Sequence, residues 1–307
     1  MNTLAIVNRF SGKLARGDEW TLVRKRLEEI IGPFDISFTN SPGDATRLTR
    51  GALQKGAGRI IAVGGDGTLG EVANGFLSGG SQVNSSAIFS FVMYGTGNDF
   101  QKTFGRKAGL EFALEAFKNP REKTIDIGRL EYIGHDGKPA ERYFLNVASF
   151  GMGGMVDRFV SKIPYRGLIG GKASFLLASA ATLASYRNKQ VKIVVDGNQV
   201  YSGPVRVAVV ANCKFSGGGM TFAPMAEPDD GMLDLVIMGD IPVGKSILNI
   251  GKIYKGTHLG EDGVSSFRGR RIETFSDEEV LLDVDGEAPG RLPATFEIVP
   301  EALKIQY

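Results

Sequence analysis

Apolar and polar positions follow two different rhythms along the first third of the chain. Short apolar runs have the length of buried strands, and between them apolar side chains recur at helical spacing. Strand followed by helix, repeated in this way, predicts a parallel sheet with helices on its faces. The predicted strands are 4–7, 34–38, 59–63 and 86–93, and the predicted helices are 18–31, 41–55 and a third that ends at Leu77.

After about residue 124, short strands separated by turn residues replace this pattern. Asp196-Gly197-Asn198 has the composition of a hairpin turn between two of them. Helical spacing persists only at 173–186 and 245–254, so we predict a mainly antiparallel β-sandwich, with the domain boundary near Asp126. The predicted strands are 125–132, 142–149, 191–195, 199–201, 205–210, 233–238, 265–267 and 280–284.

The motif Gly64-Gly65-Asp66-Gly67-Thr68 lies between a predicted buried strand and a helix. Glycines at this place let the backbone approach a phosphate closely, with N–H groups and the helix N-terminus directed at the anion. Asp66 suits a position beside a metal ion, and Thr68 can donate its hydroxyl. The spacing fits neither the dinucleotide-binding GxGxxG pattern nor the P-loop. The alternative is a tight strand–helix turn in which Thr68 caps the helix.

A second turn of the same kind, Gly95-Thr96-Gly97-Asn98-Asp99, follows the next predicted strand, and the polar turn Asn8–Gly12 follows the first one. In open parallel sheets, ligands bind outside the carboxyl ends of the strands. Three such turns at one edge of the sheet therefore predict a phosphate-binding site.

Two acidic turns lie in the second part, Glu227–Gly231 before a strand and Asp283–Glu287 at the end of another. Asp-Gly sequences form turns readily, so spacing alone explains each of them as a solvated turn. Asp126 is different, because it interrupts an apolar strand. A carboxylate at such a position must be paired, coordinated or at an exposed edge.

Composition narrows the possible functions. The 307 residues are enough for two domains, and 42 glycines are about twice the average share. Lys and Arg number 36 against 34 Asp and Glu, a balance that argues against nucleic acid as a partner. One cysteine, Cys213, excludes an intrachain disulfide and fits a reducing compartment. Two histidines beside it are too few for a Cys/His zinc site.

The chain shows no targeting signal and no apolar stretch of the ~20 residues that cross a bilayer. Residues 161–172 interleave Lys162, Arg166 and Lys172 with apolar side chains, a pattern that suits an anionic membrane surface. The alternative for this segment is an ordinary loop before the helix at 173–186. We expect a cytoplasmic protein that associates peripherally with membranes, and an edge strand of the second domain could pair with a second copy.

Four motifs occur together in one order: Gly64–Thr68 followed by Glu71, then Gly95–Phe100, Asp230–Asp234, and Asp285–Glu287. This ordered set, which spans almost the whole chain, resembles the soluble bacterial diacylglycerol kinase and lipid kinase family, related to sphingosine and ceramide kinases. The resemblance implies an α/β nucleotide-binding domain of residues 1–126 and a β-sandwich domain of residues 127–292. It also implies that residues 293–307 return to the first domain and that ATP binds between the two.

The resemblance also implies roles for particular residues. Glu287 would be the general base that takes the proton of a lipid hydroxyl, as in diacylglycerol, during transfer of the γ-phosphoryl group of ATP. Asp66, Asp99 and Asp126 would surround the nucleotide-bound Mg²⁺. A structural Mg²⁺ would be held by the Asp230 side chain and the carbonyls of Glu227 and Met232. The residues along the nucleotide would be Asn8, Ser11, Gly12, Thr39, Gly64, Gly65, Asp66, Gly67, Thr68, Leu69, Gly70 and Thr96.

The chain departs from the family pattern at three places. Arg9-Phe10 replaces a proline-containing turn, Gly70 stands where a polar residue is common, and Gln101 stands where alanine is frequent. An NAD kinase, which shares the Gly-Gly-Asp-Gly-Thr turn, is the alternative enzyme. A nucleotide-sensing or lipid-transport module is the non-enzymatic alternative, and it would require Glu287 and the acidic residues to be idle. The order Gly-Thr-Gly-Asn-Asp-Phe and the late Asp-Gly-Glu motif favour the lipid kinase.

Overall fold

The computed structural model describes residues 1–12, 14, 19–95, 97–107, 109–153 and 186–307. They divide into two compact units, the first formed by Met1–Ile127 with Val299–Tyr307 and the second by Gly128–Ile298. The division falls next to the boundary expected at Asp126. The returning segment begins at Val299, whereas the sequence places its start at residue 293. Among these residues, no helix combines the length and the apolar character needed to span a membrane.

The first unit is built on a parallel sheet in which β1 lies between β2 and β3, and β6 follows β3. Its elements are β1 (Thr3–Val7), α1 (Glu19–Ile31), β2 (Asp35–Phe38), α2 (Asp44–Gln54), β3 (Arg59–Gly64), α3 (Asp66–Phe76), β4 (Leu77–Ser78), β5 (Ser81–Gln82), β6 (Ile88–Met93), α4 (Asp99–Thr103) and α5 (Leu110–Lys118).

Apolar strands and amphipathic helices hold this unit together. Val23 and Leu27 of α1 and Leu114 of α5 are buried in one cluster with apolar residues of β1 and β3. Elsewhere in the unit, α2 and α3 are so close that a Cβ on Gly75 would lie 2.4 Å from the Cβ of Thr49. The strand–helix alternation predicted from the sequence is therefore confirmed, and α5 is an addition to it.

The second unit contains two large antiparallel sheets and a third of only two strands. Its elements are β7 (Glu122–Gly134), β8 (Pro139–Phe144), β9 (Val147–Gly151), β10 (Lys189–Val195), β11 (Asn198–Val205), β12 (Val207–Ala211), β13 (Phe215–Ser216), β14 (Met220–Thr221), β15 (Leu233–Met238), α6 (Val243–Lys255), β16 (Val264–Gly269), β17 (Arg271–Phe275), β18 (Leu282–Val284) and β19 (Gly290–Gln306). The first residues of β7 and the last of β19 belong to the first unit, where Ile305 pairs in parallel with Phe89 of β6.

One large sheet of the second unit has the strand order β11-β10-β17-β19, with β7 beside β19 and β8 beside β7. The other has the order β16-β15-β12-β9-β18. Apolar residues of both sheets share one buried cluster, in which the rings of Phe150 and Phe296 stack with centroids 6.2 Å apart. The two sheets therefore form the predicted sandwich, and α6 covers the outer face of the second sheet through Ile253.

Several local predictions can be compared directly with the structure. Asp196-Gly197 is the turn of a hairpin, because Val195 pairs with Asn198 across it. The predicted strand 142–149 is two strands, β8 and β9, separated at residues 145–146. β17 and β19 do not appear among the predicted strands. The helix predicted at 173–186 and the membrane segment 161–172 lie outside the described residues, apart from Tyr186.

Candidate functional site

Three turns of the first unit lie side by side at the carboxyl ends of its parallel strands. β1 pairs with β3, and β3 pairs with β6, so the turns that follow these strands are neighbours. Asn8 N donates to Val63 O at 3.0 Å, and Tyr94 N donates to Gly64 O at 2.6 Å. The three turns singled out in the sequence therefore form one cluster.

The backbones of these turns touch, and only glycine fits where they meet. A Cβ on Gly12, whose φ is 50°, would lie 1.8 Å from the carbonyl oxygen of Tyr94. A Cβ on Gly95 would lie 2.6 Å from the Cα of Gly65. A side chain at either position would push the turns apart, so the glycines are required by close backbone approach.

Asn8 and Thr68 join the first turn to the second. Asn8 Nδ2 donates to Thr68 Oγ1 at 3.1 Å. The alternative in which Thr68 is the N-cap is wrong, because α3 already begins at Asp66, and Gly65 is its N-cap. The extended backbone of Gly65 starts the helix earlier and leaves the Thr68 hydroxyl to contact Asn8.

The other residues of the expected nucleotide set differ in what they can offer a ligand. Leu69 and Gly70 are buried within α3, and the N–H of Leu69 already donates to Gly65 O at 3.1 Å. The Ser11 hydroxyl lies against the second turn, and Thr39 follows β2 with its side chain buried. Thr96 lies outside the described residues.

Asp66 and Asp99 converge on Gly97. A Cβ on Gly97 would lie 3.0 Å from Asp66 Oδ2 and 3.3 Å from Asp99 Oδ2. Asp66 Oδ1 accepts the N–H groups of Asp99 and Phe100 at 2.8 and 3.1 Å, and Asp99 Oδ1 accepts Lys102 Nζ at 2.6 Å. The glycine therefore leaves a space bordered by two carboxylate oxygens, and carboxylate oxygen is the ligand that Mg²⁺ prefers.

Asn98 adds a polar group that the sequence reasoning did not include in the site. Its φ is 51°, which asparagine tolerates better than most residues. Its side chain is buried, and Oδ1 has no hydrogen-bond partner in the described part of the chain. The signal in the sequence was an asparagine between a glycine and the start of a helix.

Asp126, the carboxylate that interrupts an apolar strand, has a backbone partner. It is buried on β7, and its Oδ1 accepts the N–H of Glu301 at 2.8 Å. Glu301 has a φ of 50° and lies in the segment of β19 that belongs to the first unit. Asp126 therefore anchors the returning segment, and its place beside magnesium stays a prediction.

The Asp-Gly-Glu motif lies in the second unit as the turn of a two-residue hairpin. Val284 and Glu287 exchange backbone hydrogen bonds of 2.8 and 3.1 Å. Asp285 and Gly286 have φ values of 49° and 86°, as a type I′ turn requires. The Asp285 carboxylate accepts the N–H groups of residues 145–147 at 2.8 to 3.1 Å.

This network explains why β8 and β9 are separate strands. The three amides bend the chain around the Asp285 carboxylate, which interrupts the strand expected at 142–149. Burial raises the pKa of Asp285 to about 6, although the three amides and the nearby Arg142 act in the opposite direction.

Glu287 forms an ion pair that the sequence reasoning missed. Arg142 Nη1 lies 2.7 Å from Glu287 Oε2, and the exposed fractions of the two side chains are 17% and 41%. Burial alone lowers the pKa of Arg142, but the charges of Glu287 and Asp285 raise it overall, so the guanidinium stays charged. The only signal in the sequence was a cation at the start of an apolar strand.

The acidic loop at 227–234 is held by cations of the chain itself. Lys214 Nζ lies 2.6 Å from Glu227 Oε1, and Arg268 pairs with both Asp230 and Asp234. Burial raises the pKa of Asp234, and the charges of Asp230 and Glu227 raise it further, against the effect of Arg268. Among the described residues, no three His, Cys, Asp or Glu side chains are grouped to hold a metal.

Arg268 lies against the carboxylate that the resemblance assigns to a structural magnesium. Asp230 Oδ1 accepts the N–H of Met232 at 3.0 Å, and Oδ2 accepts Arg268. Arg268 already provides the positive charge that a metal would bring to this loop. The ligand set of Glu227, Asp230 and Met232 stays a prediction.

We expect Asp230→Ala to lower the free energy of unfolding by about 1 kcal/mol, the upper range for an exposed pair, equally in Mg²⁺ and in chelator. Arg268→Gln should cost more, because it also leaves the buried Asp234 carboxylate without its cation. Urea unfolding of both variants measures this. A stabilisation of the parent protein by Mg²⁺ that Asp230→Ala abolishes would instead show that the loop binds a metal.

Comparisons with known proteins agree with this architecture. Residues 2–130 match the diacylglycerol kinase catalytic domain, and residues 146–307 match the YegS C-terminal NAD kinase beta sandwich-like domain. A diacylglycerol kinase of Bacillus subtilis (strain 168) is 26% identical over 90% of this chain and 88% of its own length. A diacylglycerol kinase of Mycobacterium tuberculosis (strain CDC 1551 / Oshkosh) is 26% identical over 85% of this chain and 81% of its own length.

Solved structures show the same fold. A crystal structure of a diacylglycerol kinase from Bacillus anthracis str. Sterne superimposes with a TM-score of 0.70 at 22% identity, covering 100% of this chain and 96% of the other. An NAD kinase from Archaeoglobus fulgidus in complex with ATP is more distant, with a TM-score of 0.51 at 15% identity over 99% and 92% of the two chains. The predicted fold class, an α/β domain with parallel strands followed by a β-sandwich, is confirmed. With a family match that covers more than half of the chain, this protein belongs to the family of diacylglycerol kinases and YegS-like lipid kinases.

Proposed function

We propose that this protein transfers the γ-phosphoryl group of ATP to the hydroxyl of a lipid such as diacylglycerol. The observation that carries the proposal is the convergence of three turns at Gly12, Gly65 and Gly95. At these glycines the backbones of the turns lie in contact, and no side chain separates them. Such a surface suits the β- and γ-phosphates, because backbone N–H groups reach an anion that side chains would keep away. The family membership supports ATP as the donor.

Phosphoryl transfer requires mainly positioning and neutralisation of charge. Asp66 and Asp99, whose oxygens border the space at Gly97, are the residues that would hold Mg²⁺, directly or through water. Bound Mg²⁺ would neutralise charge on the triphosphate. The buried Oδ1 of Asn98 supports a bound group at this place, because it has no hydrogen-bond partner among the described residues.

Glu287 is the proposed general base. Its carboxylate is partly exposed on a rigid hairpin, and Oε2 is bound by Arg142. Glu287 Oε1 is therefore the oxygen that would accept the acceptor's proton. General-base assistance of this kind contributes about 10²–10⁴-fold to a rate.

The nature of the acceptor rests on the names of relatives such as the diacylglycerol kinases of Bacillus subtilis and Mycobacterium tuberculosis. Docking of residues 161–172 on an anionic membrane, and pairing of two copies through an edge strand, remain proposals. A lipid acceptor lies in a membrane, so docking of the basic segment on the membrane surface would bring the enzyme to its acceptor.

The experiment supplies radiolabelled ATP with Mg²⁺ and, in separate arms, mixed micelles of diacylglycerol, monoacylglycerol, phosphatidylglycerol or a sphingoid base, or soluble NAD. We expect label in the organic phase with at least one lipid and none in NAD. Label in NAD alone would identify an NAD kinase. Tight ATP binding without transfer to any acceptor would favour a nucleotide-sensing module.

Gly95→Ala should weaken ATP binding by about tenfold or more and lower stability by about 1–3 kcal/mol, because the new methyl group would overlap the backbone at Gly65. Calorimetric titration with MgATP and urea unfolding measure the two effects. Gly51→Ala is the matched control, since a Cβ there meets nothing within 4 Å. It lies in α2 and should stabilise the protein by up to about 1 kcal/mol with ATP binding unchanged. Unaltered ATP affinity in Gly95→Ala would argue against phosphate binding at these turns.

A further inference from the structure

Arg142 is a mostly buried cation whose guanidinium contacts the carboxylate of the proposed base, Glu287. It lies on β8, and Nη1 donates to Glu287 Oε2 at 2.7 Å across 145 positions of sequence. A guanidinium in such an environment needs a compensating charge. Glu287 provides it by direct contact, and Asp285 adds a second negative charge nearby.

The same strand holds the hairpin of Glu287 at a second point. The bend that ends β8 donates three amides to Asp285, two residues before Glu287. The Asp285 and Glu287 side chains of the hairpin are therefore both held by β8 and the residues that directly follow it. In the described part of the chain, Glu287 Oε2 has a hydrogen-bond donor and Oε1 has none.

Three other titratable groups lie around this ion pair. The Asp285 carboxylate accepts the N–H of Leu145 in the bend after β8, and His135 Nε2 contacts the carbonyl of Ala288 at 2.8 Å. Burial raises the pKa of Tyr132, with Arg142 lowering it and Glu287 raising it. Arg142 is the group with a direct side-chain contact to the Glu287 carboxylate.

We propose that Arg142 is a positioning residue, which binds Oε2 of Glu287 so that Oε1 is presented to the acceptor hydroxyl. The inference rests on the proposed function. In the step it serves, Glu287 accepts the hydroxyl proton while the acceptor oxygen bonds to the γ-phosphorus. The bond from phosphorus to the bridging oxygen breaks, ADP leaves, and the proton passes from the exposed Glu287 to solvent.

Arginine suits this task better than lysine. Its planar guanidinium is always charged and directs its N–H groups in fixed geometry, whereas the ammonium of lysine is a flexible point charge. A carboxylate held through one oxygen keeps the other in a defined direction. A misplacement of about 1 Å at a reacting centre can cost up to about 100-fold in rate.

The test is a double-mutant cycle on turnover with MgATP and the lipid that the parent phosphorylates fastest in the acceptor panel. Arg142→Gln should lower kcat by about 10- to 100-fold with the KM for ATP unchanged. Arg142→Lys, which keeps the charge and protects the fold, should recover part of the loss. In a Glu287→Gln background, Arg142→Gln should cause no further loss, because the residue it positions has gone.

Arg129→Gln is the matched control. Arg129 lies on the neighbouring strand β7 and pairs with Glu131, Glu141 and Glu297, so its loss should leave kcat within about twofold. Urea unfolding of each variant separates loss of stability from loss of turnover.

The outcomes distinguish the inference from the proposed function. Multiplicative losses in the double variant, or unchanged turnover in Arg142→Gln, would overturn the positioning role while leaving the kinase proposal intact. A Glu287→Gln protein with normal turnover would overturn the base assignment itself. If Arg142→Gln does not fold, the same cycle with Arg142→Lys decides, and equal loss in both backgrounds counts against the proposal.

Discussion

Glu287→Gln is expected to lower turnover by about 10²–10⁴-fold while ATP affinity stays close to that of the parent. Stability should fall by about 1–3 kcal/mol, because the mostly buried Arg142 loses one of its two neighbouring negative charges. Glutamine has nearly the same shape, but its amide cannot take the proton of an attacking hydroxyl. The hairpin itself should persist, because the three amide hydrogen bonds to Asp285 and the backbone pairing of Val284 with Glu287 do not involve the altered group.

The measurement is steady-state turnover with the preferred acceptor, beside MgATP calorimetry and urea unfolding. Glu131→Gln is the control, since Glu131 is also a glutamate paired with an arginine, Arg129, at 2.5 Å. Its turnover should match the parent's. A Glu287→Gln protein of normal turnover would remove Glu287 from the role of base, and equal losses in both variants would point to a general effect of charge.

Much of the first unit could be predicted because its strands are short, continuous apolar runs. β3 and β6 are buried on nearly every residue, so their sequences contrast sharply with the polar turns that follow. The same contrast locates the three turns at the carboxyl ends of their strands. Parallel pairing then brings the turns together without any further information.

The elements that were missed lack such a contrast. β17 alternates buried and exposed residues over only five positions, and much of β19 does the same along a long strand that contains two prolines. Leu110–Lys118 has its charges at helical spacing, at Glu111, Glu115 and Lys118, but the helix is short and follows Gly109 rather than a polar cap. Weak local patterns of this kind become regular structure through packing against distant parts of the chain.

Side-chain partnerships in the site were harder to foresee than its motifs. Arg142 and Glu287 are 145 residues apart, and Asp66 binds amides 33 and 34 residues away. Nothing in the local pattern indicates that Arg268 would pair with Asp230, where the resemblance implied a metal. The motifs predict which residues take part in the chemistry, whereas the tertiary fold decides which charged groups contact each other.

The two carboxylate oxygens of Asp66 have different neighbours, so two roles of this residue can be tested by different substitutions. Oδ1 accepts the first amides of α4, and Oδ2 borders the space at Gly97 together with Asp99. Asparagine keeps an acceptor for the amides but removes the charge. Alanine removes both, and should additionally lower the free energy of unfolding by about 1 kcal/mol through loss of a helix cap.

Asp66→Asn should therefore preserve stability yet reduce turnover by about 100-fold or more, since a carboxylate beside the triphosphate is needed to hold Mg²⁺. Whether the substitution weakens or strengthens ATP binding depends on whether Mg²⁺ is present. Affinity for MgATP should fall, whereas affinity for metal-free ATP should rise, because a negative charge next to the phosphates has been removed.

Calorimetric titrations of the Asp66→Asn protein with ATP, with and without Mg²⁺, measure both changes in affinity. Asp44→Asn is the control, because Asp44 Oδ2 likewise accepts two backbone amides, those of Asn40 and Ser41, but on the exposed start of α2. It should leave both affinities unchanged. If Asp66→Asn binds MgATP and turns over like the parent while Asp66→Ala is merely less stable, the carboxylate is a helix cap, and the magnesium-binding role must lie with other residues.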